Sequence, residues 1–108
     1  MQVTMKPILF ILNMPFEDAE MEGPDDQLWF CTHCALIETA LTISPHWLEH
    51  IELKRIDAHK PREELIAHLG LDNQWTPVLI LGPDKTMTDP IEITAYLART
   101  FGGAAPHP

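Results

Sequence analysis

Cys31-Thr32-His33-Cys34-Ala35-Leu36-Ile37-Glu38-Thr39-Ala40-Leu41-Thr42-Ile43 sets two cysteines three residues apart at the start of a helical rhythm. Cys34, Ala35, Ile37, Glu38, Leu41 and Thr42 recur at helical spacing with an apolar side, which predicts a helix over about Thr32–Ile43. A separation of three is most of one turn, so both sulfurs lie on one side of that helix, within reach of a disulfide. The unpaired N–H groups and the dipole at a helix start favour a thiolate over a thiol. Cys31, the exposed member, is therefore the candidate nucleophile and Cys34 its partner. His33, between them, favours the Cys31 thiolate further when it is protonated or donates a hydrogen bond. A more stable thiolate stabilises the reduced pair and makes its disulfide a better oxidant.

Toward the N-terminus, Pro7-Ile8-Leu9-Phe10-Ile11-Leu12 is a short continuous apolar run with proline at its start. It reads as a strand buried on both faces, as in a sheet covered by helices. Residues 13–30 form a long acidic loop: six acids lie between Glu17 and Asp26 with no base among them, punctuated by Pro15, Gly23 and Pro24. Its length without a periodic pattern suits a lid or a mobile segment.

Toward the C-terminus, Ser44-Pro45 is an N-cap and first-turn pair, which predicts a short helical turn to about Glu49. Ile51–Asp57 alternates in part and reads as a second strand. Pro61–Leu69 reads as a helix, with Pro61 in its first turn, Glu63 and Glu64 at its positive end and Gly70 closing it. Thr76–Leu81 is a third buried strand, Gly82–Lys85 a turn and Thr86–Thr88 a short edge strand. Asp89 caps a last helix with Pro90 in its first position, running to Phe101 and stopped by Gly102. Gly103–Pro108 is a flexible tail. The order β-loop-α-β-α-β-β-α predicts one α/β domain over residues 1–108, a four-stranded mixed sheet flanked by helices.

A chain of 108 residues holds a core without help from metals or disulfides. Seven basic against sixteen acidic residues give a net charge of −9. That disfavours nucleic acid and anionic membrane surfaces as partners. No apolar run approaches the roughly 20 residues of a membrane span. Met1–Lys6 lacks the long apolar core of a signal peptide. Two closely spaced cysteines are no framework for a small secreted domain, so the pair is expected in the cytoplasm.

The element order, Cys31-Thr32-His33-Cys34 and Thr76-Pro77 resemble the thioredoxin fold. A histidine before the second cysteine is more similar to disulfide isomerases and periplasmic disulfide donors than to thioredoxin itself. The resemblance implies that Pro77 is the cis proline that sits against the cysteine pair. It also implies that Thr76 offers backbone hydrogen bonds to a bound substrate. Thr88-Asp89-Pro90-Ile91-Glu92-Ile93-Thr94-Ala95-Tyr96-Leu97 resembles the last helix of glutaredoxins and of glutathione-transferase N-terminal domains. There a residue in the place of Asp89 holds the amino end of glutathione. The chain resembles most closely a bacterial thioredoxin-like family of unknown function, through Phe16-Glu17-Asp18, the run Phe30 to Glu38, Asn73 to Leu79 and Ala95 to Arg99.

Together these features imply a thiol–disulfide oxidoreductase without a bound cofactor. Its partner would be a disulfide-containing protein or a low-molecular-weight thiol, with glutathione as a possible co-substrate. Phe30 and Trp75 flank the two key segments and are candidate walls of a substrate groove. Two alternatives stand beside this reading. One is a redox-silent binding module for glutathione or a protein. The other is a metal site, because His46 and His50 follow the cysteines at a spacing close to that of a zinc finger. A finger carries its cysteines on a hairpin, whereas these begin a helix, so no metal ligand is assigned.

Overall fold

The computed structural model describes residues 6–108; the expectation for the first five residues lies outside them. β1 (Ile8–Leu12) is buried at all five positions. It pairs in parallel with β2 (Glu52–Ile56), Ile8 opposite Glu52 and Leu12 opposite Ile56. On its other side it pairs antiparallel with β3 (Val78–Gly82), Leu9 opposite Leu79. β4 (Lys85–Met87) completes the order β2-β1-β3-β4.

Successive strand residues point to opposite faces, and here both faces are covered. Leu9 and Ile11 pack with Ile37 and Leu41 of α1 (Thr32–Ile43) and with Ile93 and Leu97 of α3 (Pro90–Phe101). Ile8 and Phe10 turn the other way, onto Leu65 of α2 (Glu63–Leu69). This two-sided burial is why the β1 sequence is apolar without alternation. The result is the thioredoxin-like α/β arrangement expected, a mixed four-stranded sheet flanked by helices. Among the described residues no helix is long and apolar enough to cross a membrane.

Three local features refine the sequence reading. First, α2 begins at Glu63 rather than at Pro61. Arg62 takes the cap position at φ −95° and ψ 86°, and its backbone N–H donates to Gln74 Oε1 at 2.7 Å. Second, Gly82 pairs with Lys85, so the β3–β4 turn tightens to Pro83-Asp84 and β4 starts earlier. Third, the acidic loop stands on a stem, because Phe16 and Trp29 exchange backbone hydrogen bonds of 3.0 and 2.8 Å.

The short 3₁₀ turn Pro45–Glu49 ties α1 to the end of α3. Wholly buried Trp47 donates its indole N–H to the Gly102 carbonyl at 2.7 Å, and His46 Nε2 donates to the same oxygen at 2.9 Å. The Ala104 N–H donates to Ser44 Oγ at 3.2 Å, so the chain is held just beyond the helix.

Candidate functional site

Cys31 is the N-cap of α1, in extended conformation, and its Sγ accepts the backbone N–H of Cys34 at 3.2 Å. The sulfur thus stands where a serine or aspartate oxygen would satisfy an unpaired N–H of the first turn. The Cys31 N–H donates in turn to Met14 Sδ at 3.2 Å. Both cysteines are free thiols, but their surroundings differ: Cys31 is half-buried and Cys34 is wholly buried. Burial first, and then the hydrogen bond and charge of Cys31, push the Cys34 thiol up to about 12. The Leu12 backbone and the Thr76 side chain hydrogen-bond to it and pull the other way, without cancelling the rise.

Cys31 opens onto a cleft of about 600 Å³, within the size range of small-molecule sites. Leu12 and Thr76 lie beside it in the lining, and Trp75, 60% exposed, stands in the wall. The root of the acidic loop contributes Glu17, Asp18 and Glu20, while the segment before α2 contributes His59, Lys60 and Arg62. The cleft therefore carries acids from one segment and bases from another.

Three of the expected residues, Cys31, Thr76 and Trp75, meet in this cleft. Cys34 touches it through Cys31. Pro77 follows a cis peptide bond and is buried. His33 stands on the exposed side of the first turn of α1. Phe30 is 63% exposed but does not line the cleft. Asp89 does not line it either; its carboxylate accepts the Ile91 N–H at 2.8 Å and caps α3. His46 is held at Gly102, and His50 stacks on Phe101 with ring centroids 4.6 Å apart. Among the described residues no cluster of three metal-ligating side chains is gathered.

Arg62 is the principal site residue that the sequence offered only as part of a basic cluster, read as a solvated rim or as a contact for the carboxylate end of a peptide or glutathione. It sits among four bases within nine residues, Lys54, Arg55, Lys60 and Arg62. The structure separates them by partner. Lys54 pairs with Glu64 at 3.0 Å and Arg55 with Glu38 at 2.8 Å. Arg62 instead turns inward, with Nε and Nη2 donating to the Ala58 carbonyl at 3.1 and 2.9 Å and Nη1 to the Gln74 carbonyl at 2.8 Å. Burial lowers its pKa, while Cys34, Cys31 and Asp18 act in the opposite sense, as nearby negative charges do. No spacing rule distinguishes such an arginine from its solvated neighbours; Met14 and Gln74 are equally silent in the sequence.

No curated protein and no solved structure matches the chain. A family model described as "Protein of unknown function (DUF3088)" matches residues 6–104, and the chain belongs to that family.

Proposed function

We propose that the protein is a thiol–disulfide oxidoreductase of the thioredoxin-like superfamily. The observation that carries this reading is the asymmetry of the pair. Cys31 caps a helix at the wall of a cleft, while Cys34 lies buried within hydrogen-bond reach, its thiol held up to about 12. A nucleophile needs access and a stabilised anion; a resolving thiol needs proximity and protection.

In the forward direction the Cys31 thiolate attacks one sulfur of a substrate disulfide. The other sulfur leaves as a thiolate and takes up a proton. Cys34, deprotonated as it reacts, attacks Cys31 Sγ and releases the second substrate thiol. The substrate gains two electrons and the pair loses two, becoming the Cys31–Cys34 disulfide. A dithiol reductant reverses the change, and against a more reducing partner the oxidised pair donates its disulfide. Thr76 and Pro77 hold the substrate main chain, Trp75 offers an apolar surface, and His33 tunes the pair from the first turn of α1. Phe30 and Asp89 act only on a substrate that extends past the cleft. The substrate is a disulfide-bearing protein or a low-molecular-weight thiol such as glutathione; a resident cofactor, nucleic acid and membrane have no part.

Equilibration of the pair across a series of glutathione buffers, read by alkylation and mass, tests the reading. The expected result is a reversible two-electron transition between about −120 and −270 mV. A midpoint toward the oxidising end supports the role given to His33. Cys34→Ser is expected to accumulate a mixed disulfide at Cys31, and Cys31→Ser to abolish exchange. Thiols that react only after unfolding would rule the mechanism out.

A further inference from the structure

The guanidinium of Arg62 is fixed and incompletely used. Its Nε, Nη1 and Nη2 each donate to a main-chain carbonyl, which sets its plane and leaves two of the five N–H groups uncommitted. It is half-buried, in the lining of the cleft that holds Cys31, and pairs with no carboxylate among the described residues. Cys31 and Asp18 act on its charge, but neither accepts a hydrogen bond from it, so its two uncommitted N–H groups stay open to an anionic group of a ligand. Lys60 and His59 lie on the same segment, while Glu17, Asp18 and Glu20 line the cleft from the acidic loop. A purely anionic ligand would meet those acids, and a purely cationic one would meet Arg62. A ligand carrying a carboxylate and an ammonium meets each with its opposite.

We propose that the cleft selects low-molecular-weight disulfides of the amino-acid type, with Arg62 holding a carboxylate beside Cys31 and Asp18 facing the ammonium. The inference rests on the oxidoreductase reading and names the substrate class of the same site. Arg62 is here a binding residue whose two free N–H groups take the carboxylate as a charge-assisted pair. In the half-reaction one disulfide is consumed by the reduced protein, two substrate thiols are released, and the Cys31–Cys34 disulfide forms.

The test is a single-turnover rate for the reduced protein with four disulfides: zwitterionic cystine, dianionic dithiodiglycolate, dicationic cystamine and neutral hydroxyethyl disulfide. Each rate is divided by that of free dithiothreitol with the same compound, which removes intrinsic reactivity. Cystine is expected to rank first. Arg62→Gln is expected to lower the cystine-to-neutral ratio about tenfold, and Arg62→Lys to restore part of it. Asp18→Asn, at an exposed position, is expected to lower cystine relative to dithiodiglycolate. A general loss of folding moves all four rates together and leaves these ratios alone. Cystamine or hydroxyethyl disulfide equal to cystine would overturn the substrate class while the oxidoreductase reading stands. Failure of all four disulfides, with no transition in the glutathione series, would remove both.

Discussion

The Cys34 thiol is pushed up to about 12 from an ordinary value of 9.0, first by burial and then by the sulfur beside it. The folded chain therefore keeps a proton that the unfolded chain loses once the pH passes 9.0. Stability from this group is complete below that pH and falls as the pH rises toward 12. Denaturant midpoints of the reduced protein should drop between about pH 8.5 and 10.5 more steeply than those of Cys34→Ala. Parallel slopes in the two proteins would mean that Cys34 keeps an ordinary acidity in the fold. At this scale the sequence was legible where chemistry depends on spacing: the order of Cys31 and Cys34, and Thr76-Pro77. It was silent where chemistry depends on which way a side chain turns. Arg55 and Arg62 are the same residue type in one short segment, yet one pairs with Glu38 and the other turns onto the Ala58 and Gln74 carbonyls in the lining of the cleft.

The boundaries of α1 and α3 and the burial of β1 follow from local signals. The capping carboxylate of Asp89, the imino ring of Pro90 and the stop at Gly102 act within a turn of themselves, so a sequence reading places them well. The start of α2 escaped that reading because a distant residue sets it: Gln74 takes the Arg62 N–H, twelve positions away. The chain just beyond α3 is also fixed by tertiary contact. Gly103 has φ +114°, and a Cβ there would lie 2.7 Å from Ser44 Oγ. Gly70 has φ +88° but nothing near its missing Cβ. Both substitutions to alanine incur the backbone strain of a left-handed conformation, about 1 kcal/mol or more. Gly103→Ala must in addition displace Ser44, which holds the Ala104 N–H. Unfolding free energies should therefore fall further for Gly103→Ala than for Gly70→Ala, by about 1 kcal/mol. Equal losses would show that Ser44 gives way freely.

Charge distinguishes the whole molecule from its site. The chain carries −9, while the cleft mixes His59, Lys60 and Arg62 with Glu17, Asp18 and Glu20. The two act over different distances. The described residues extend 50 × 32 × 21 Å. At about 0.01 M salt the screening length is about 30 Å, so an approaching anion is repelled by most of the acids at once. At about 0.15 M it is about 8 Å, and only groups near the cleft are felt. The reaction of reduced protein with dithiodiglycolate should therefore speed up, about threefold, as salt rises from the lower to the higher value. Hydroxyethyl disulfide, without charge, should hold its rate and serves as the control. Arg62→Gln adds one more unit of negative charge to the molecule but removes the local cation. Its dithiodiglycolate rate should thus stay below that of the parent at high salt, where the net charge is screened. A parent rate that falls as salt is added would mean that Lys60 and Arg62, rather than the net charge, govern the approach from a distance. The far field would then have to be redrawn as locally positive at the cleft mouth.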